Sequence, residues 1–184
     1  MNATAEQNWV SRCAQGDPAA QKELYLRYAA RILAVCRRYA EDPDDALDLM
    51  HDAFIKAYDK IGSFRYKGEG SLYGWLRTLS INLALDRLRR RRLRPFTLED
   101  FSAADIPEPP DEAVESIPMP VMLEMIASLP PERRAVFNLY CLDDWSHREI
   151  AEKLGITEKE SAAILHQARM QMKEKIKNYL AAQH

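Results

Sequence analysis

Apolar positions along this 184-residue chain recur at three- and four-residue steps, and that spacing marks helices separated by clear start and stop signals. Gly16-Asp17-Pro18 reads as a helix start, because an aspartate can cap the free amides and proline suits the first helical position. Behind it Leu24, Tyr28, Ile32, Val35, Cys36 and Tyr39 form one apolar face. Asp42-Pro43 repeats the signal, and Ala46, Leu49, Met50, Ala53, Phe54, Ala57, Tyr58 and Ile61 follow at helical spacing. Asp44, Asp45, Asp48 and Asp52 fall largely off that stripe, so this helix is expected to show an acidic outer surface.

Gly62 ends the second pattern, and the stretch from Ser63 to Gly70 reads as a loop. A long helix opens near Ser71, carries Leu72, Trp75, Leu76, Leu79 and Leu83 into an arginine run, and stops before Pro95. A second helical set begins near Val121 with Met122, Leu123, Met125, Ile126 and Leu129. Pro130-Pro131 then starts a helix to about Tyr140, Ser146–Leu154 forms another, and Thr157 caps a last one reaching toward Leu180.

Between the two sets, residues 96–120 hold Pro107, Pro109, Pro110, Pro118 and Pro120, seven acidic residues and no helical period. This composition predicts an extended linker of about 25–30 Å average span. The expected fold class is therefore all-α: two small helical domains, residues 1–94 and 121–184, joined by a flexible Pro- and acid-rich linker over 95–120. Six glycines, 47% hydrophobic residues and 29% charged ones agree with a helical, globular chain.

Charge changes the picture more than composition does. The net charge of -2 suggests no nucleic-acid partner, yet six of the eight residues from Arg87 to Arg94 are arginine, so the chain is strongly polarised. The run continues an apolar-periodic helix with Leu83, Leu85, Leu88 and Leu93 interleaved, which predicts a folded cationic surface suited to a phosphate backbone. Phe64-Arg65-Tyr66-Lys67 and Tyr73–Trp75 place aromatics beside cations, the composition found where unpaired bases stack. Trp75 reads as core, whereas Phe64 and Tyr66 fit either role.

Cys13, Cys36 and Cys141 are odd in number and far apart, and read as reduced thiols in or near a core. No histidine cluster has ligand spacing, no glycine-rich phosphate loop or nucleophile elbow occurs, and neither enzyme activity nor a cofactor is expected. The N-terminus lacks a leader pattern and no stretch is long and apolar enough for membrane insertion, so a cytoplasmic protein is expected.

Ser146-His147-Arg148-Glu149-Ile150-Ala151, followed by Gly155-Ile156-Thr157, has the grammar of a helix-turn-helix. Ser146 and Glu149 can form a capping box, Ala151 permits close approach, and Gly155 supplies a left-handed turn. Such a unit lays its second helix in the DNA major groove.

Taken in order, Asp45–Tyr58, the aromatic loop, Gly74–Arg91, the acidic linker and Leu129–Arg134 before the helix-turn-helix resemble extracytoplasmic-function sigma factors of the sigma-70 family. The resemblance implies that Asp45, Asp48, Leu49, His51, Asp52 and Phe54 dock on the β′ clamp helices of core RNA polymerase, and that the second domain meets the β flap. It implies that Asn82 holds a base flipped from the −10 element, helped by Phe64 and Arg65, with Asp86 among the −10-binding residues and Arg87, Arg89, Arg90 and Arg91 holding backbone phosphates. It assigns duplex −35 contacts to Arg148, Thr157, Lys159, Glu160, Ser161, His166 and Arg169, and an anti-sigma factor or activator as a further partner. Promoter DNA would thus be met both double- and single-stranded.

The recognition helix departs from the family pattern, a Thr-Val-Lys-Ser-Arg-Leu-like core. Here the span is Glu160-Ser161-Ala162-Ala163-Ile164-Leu165, with Gln167 at a common arginine position. Losing two or three cations would lower the salt slope by about 0.9 each and predicts weak or unusual −35 recognition. Alternatively, Ala162 and Ile164 would form an apolar face for a protein partner. A helix-turn-helix regulator that never joins polymerase is the rival reading, and a pure protein adaptor a third; the acidic helix argues against the regulator.

Overall fold

The computed structural model describes residues 3–91 and 114–183, with side chains from Gln7 onward in the first segment. Four helices form the first set: α1 (Ala3–Ala14), α2 (Pro18–Arg37), α3 (Pro43–Lys60) and α4 (Ser71–Arg91). Four more follow: α5 (Met119–Ala127), α6 (Pro131–Cys141), α7 (His147–Leu154) and α8 (Glu158–Ala181). No strand occurs among the described residues. The chain divides into two compact units, Met1–Ala84 and Leu85–His184. The division falls inside α4, at the foot of the arginine run, whose Arg92 and Arg94 lie outside the described residues.

In the first unit Asp17 caps α2 by accepting from the Ala19 and Ala20 amides at 2.9 and 3.3 Å. Arg12 Nε donates to the other Asp17 oxygen at 2.8 Å, tying the end of α1 to the start of α2. Asp42 caps α3 through the Asp45 amide at 2.7 Å. Both caps answer the helix starts expected from Asp-Pro pairs. The core gathers Leu24, Ile32 and Cys36 of α2, Leu49, Ala53 and Phe54 of α3, and Leu72 and Leu76 of α4.

Helix α1 was not expected from the sequence pattern, and it completes that core. Trp9 and Cys13, one turn apart, are both buried, and the Trp9 indole N–H donates to the Ala20 carbonyl at 3.2 Å. A buried indole needs such a partner. After α3, a single 3-10 turn over Ile61–Ser63 buries Ile61 and turns the chain into the aromatic loop.

The second unit is built around α8, which packs against α6 and α7. Helix α5 begins at Met119, Ile117 ahead of it is buried, and Val114 and Glu115 are helical, so the described residues inside the 95–120 span expected as linker are folded. The rest of that span up to Ala113 lies outside the described residues. Ala127 ends α5, and Arg134 Nη1 donates to its carbonyl at 2.7 Å, joining α5 to α6.

Candidate functional site

The helix-turn-helix is formed by α7, a three-residue connection and α8. Ser146 accepts from the Glu149 amide at 3.3 Å, and the Glu149 carboxylate accepts from the Ser146 amide at 2.8 Å, a complete capping box. The Ser146 hydroxyl also donates to the Glu149 carboxylate at 2.7 Å, and this bond, then that from the Ser146 amide, holds the carboxyl below its usual range. Gly155 closes α7 at φ 68°, a left-handed conformation that glycine adopts without steric cost. Thr157 and Glu160 repeat the capping box at the start of α8, with bonds of 3.1 and 2.7 Å.

Of the residues assigned to duplex contact, Arg148, Lys159, His166 and Arg169 are exposed. Thr157 and Glu160 are engaged in capping. Ser161 is 0% exposed, and its hydroxyl lies 2.9 Å from His147 Nδ1, so it is an interior group and no direct DNA contact. Ile164, 1% exposed, is also interior, as is Gln167. An apolar docking face made by Ala162 and Ile164 is therefore corrected: only Ala162 faces outward. For the same reason, Ala162 is the one altered position of the three where an outward cation is missing.

On α3, Asp48, His51 and Asp52 are exposed and Asp45 half-buried. Leu49 and Phe54, expected to dock on a partner, are 2% and 3% exposed and belong to the core. They share the inward stripe with Ala46, Met50, Ala53 and Ala57. The outward apolar residues are instead Leu47 and Ile55, 39% and 61% exposed, spaced one turn either side of His51. The signal was present in the sequence: both leave the core stripe at four-residue steps, which the helical period places on the acidic face.

Asn82 is half-buried near the middle of α4. Beyond it Asp86 and Arg87 are half-buried, while Arg89, Arg90 and Arg91 are exposed, with Arg89 3.9 Å from Asp86. Phe64 packs on the core, its ring centroid 5.7 Å from that of Trp75, which is itself half-buried as a core-flanking residue. Arg65 is exposed, and its Nη1 donates to the Phe64 carbonyl at 3.4 Å. Phe64, Arg65 and Tyr66 form one wall of a groove of about 360 Å³ whose other wall is Gln7 and Ser11 of α1. The contribution of α1 went unforeseen, since its helix was.

Cys13 and Cys36 are buried, but Cys141 is exposed, against the expectation of three packed thiols. Burial pushes the Cys13 thiol up to about 11. No helix among the described residues is long and apolar enough to cross a membrane.

The two helical units carry between them an acidic helix, a helix ending in exposed arginines and a doubly capped helix-turn-helix, the architecture of a DNA-binding protein. Comparison with known proteins narrows the class. Residues 24–94 match the model of sigma-70 region 2, and residues 121–172 that of sigma-70 region 4. The chain is 31% identical over 157 residues to the RNA polymerase sigma-H factor of Pseudomonas aeruginosa, covering 79% of this chain and 80% of that one. It is 31% identical over 159 residues to the ECF RNA polymerase sigma-E factor of Haemophilus influenzae, covering 80% and 82%. Among solved structures, the sigma factor RpoE from Bartonella quintana, in complex with the anti-sigma factor NepR, superposes with a TM-score of 0.51 at 20% identity. That match covers 85% of this chain and 96% of the other, a likeness of fold. The chain belongs to the sigma-70 family of RNA polymerase sigma factors. Within that family it is of the extracytoplasmic-function type.

Proposed function

We propose that this sigma factor recruits core RNA polymerase through the outer face of α3 and recognises promoters at two separate surfaces. Asp48, His51 and Asp52, flanked by Leu47 and Ile55, dock on the β′ clamp helices. The supporting observation is the division of α3: one stripe is closed into the core, and the other exposes carboxylates together with two large aliphatic side chains. Apolar side chains provide area and the carboxylates provide steering and register. In this reading the second domain meets the β flap, and an anti-sigma factor or activator competes for or reinforces these faces.

The −10 surface is formed by α4 and the aromatic loop. Asn82 holds a base flipped from the non-template strand, Phe64 and Arg65 line the approach, and the arginines from Arg87 to Arg91 clamp phosphates. Extruding a base costs a few kcal/mol, so a sequence that fits the pocket is opened in preference to one that does not. The −35 surface is the outward side of α8 with Lys159, Ala162, His166 and Arg169, aided by Arg148 on α7. The protein acts by binding alone, with no bond made or broken and no cofactor, and it works in the cytoplasm where polymerase is found.

The deciding experiment is co-purification with core RNA polymerase, followed by transcription from genomic fragments. Specific initiation that depends on this chain is expected. Intact duplex binding without polymerase binding would overturn the proposal in favour of a free-standing regulator.

A further inference from the structure

Ser161 sits in the first turn and a half of α8 with no exposed surface. A buried hydroxyl is costly unless it is hydrogen-bonded. Its partner is not on its own helix: the 2.9 Å contact with His147 Nδ1 reaches the first residue of α7. His147 is in turn stacked on Tyr140 of α6, with ring centroids 4.6 Å apart and planes inclined by 26°. Tyr140 also carries the Arg169 guanidinium 5.5 Å from its ring centre. Arg169 lies two turns beyond Ser161 on the same helix and is exposed. A path of directional contacts therefore leaves α8 at Ser161, crosses α7 and α6, and returns to α8 at Arg169.

We propose that His147 and Ser161, with Tyr140, are positioning residues that fix the rotation of α8 about its own axis. They thereby set the register in which Lys159, Ala162, His166 and Arg169 meet base edges. Apolar packing alone resists separation of helices but constrains rotation weakly, because it is non-directional. A hydrogen bond has a narrow range of distance and angle, so it selects one rotation. Each residue step around α8 turns a side chain by about 100°, and a small rotation moves it from a base edge toward the backbone. The contact therefore governs discrimination between sequences more than attraction to phosphate. The inference rests on the proposal that α8 reads duplex DNA.

The test uses the full chain assembled with core RNA polymerase. The wild-type assembly selects duplexes from a random library, and affinities are then measured for the selected duplex and for one with its upstream block scrambled. Ser161→Ala and His147→Ala are expected to reduce the preference for the selected duplex about tenfold, the effect of one mismatched base pair. Affinity for the scrambled duplex and its salt dependence should stay unchanged, since every cation is retained. Ser161→Thr and His147→Asn, which can restore a hydrogen-bonding atom, should recover most of the preference, and the double alanine variant should be no worse than either single one. Should an alanine variant fail to fold, the Thr and Asn variants carry the test, and loss of preference in both overturns the proposal. Unchanged preference in the folded alanine variants, or an equal fall for both duplexes, also overturns it. No upstream enrichment by the wild-type assembly would instead remove the duplex-reading role of α8 itself.

Discussion

The Tyr25 ring of α2 stacks on His51 of α3, with centroids 6.4 Å apart and the Tyr25 hydroxyl 3.5 Å from His51 Nε2. The same Tyr25 ring lies 5.0 Å from that of the buried Phe54. One aromatic side chain thus connects the core stripe of α3 to the acidic face, and His51 is held where Asp48 and Asp52 flank it in sequence. Reversing both charges, Asp48→Lys with Asp52→Lys, should weaken polymerase binding about tenfold and alter its salt dependence, because rim charges act chiefly through encounter. Thermal unfolding of the isolated chain should stay close to wild type. Unchanged affinity would move the docking surface elsewhere.

The inward stripe responds in the opposite way. Leu49→Ala and Phe54→Ala should each destabilise the first unit by about 2–5 kcal/mol through lost burial and the cavity left behind. Denaturant unfolding measures this directly. A variant at either position that kept full stability but lost polymerase binding would place that side chain at an interface after all.

Asn82→Ala separates strand opening from duplex attachment. Promoter melting, followed with a fluorescent base analogue, should fall about tenfold, as for a lost hydrogen bond to a desolvated base. Binding to closed duplex should change less than twofold. Equal losses in both assays would refute the proposed role.

Acid should weaken the α1–α2 junction. The Arg12 side-chain hydrogen bond, then the Ala20 amide, holds the Asp17 carboxyl below its usual range. A carboxyl depressed in the folded state adds stability that is complete above its unfolded value, near pH 4, and is lost as pH falls through the folded value. Asp17→Asn keeps a capping oxygen but no charge. The advantage of wild type over Asp17→Asn, measured by circular dichroism melting, should be present at neutral pH and vanish in acid. A difference that does not vary with pH would show that the charge contributes nothing.

Gly155→Ala should cost about 1 kcal/mol, because φ of 68° is disfavoured for any residue with a side chain. A Cβ there would meet nothing within 4 Å, so crowding adds no further cost. Gly155→Asn should lose less, since asparagine tolerates this conformation. Equal melting temperatures for all three proteins would mean that the turn relaxes.

Helix starts and stops were legible because each has a local chemical cause. Asp17, Asp42, Ser146 and Thr157 all cap the helices they were expected to cap, and Gly155 ends α7 as expected. What depends on the azimuth of a side chain was less legible. Leu49 and Phe54 were placed by resemblance on a surface, although their own spacing with Ala46, Ala53 and Ala57 put them inside. Ser161 was placed by resemblance at a duplex contact, and the buried hydroxyl is instead satisfied by His147, fourteen residues away on α7. Helix α1 was hidden because its face toward the core is short, with Trp9 and Cys13 as its buried residues, too brief a pattern to register as periodic.

The uneven burial of the thiols offers a practical handle. Cys141 is exposed on α6, while Cys13 and Cys36 are enclosed and Cys13 stays protonated at neutral pH. A maleimide dye should therefore couple at one place in the wild-type chain without any engineered cysteine. That place is next to Arg169, whose Nη2 lies 4.0 Å from the Cys141 sulfur. A label there would sit beside α8 and, on the proposed reading of α8 as the −35 surface, should report the arrival of a DNA duplex by a change in emission.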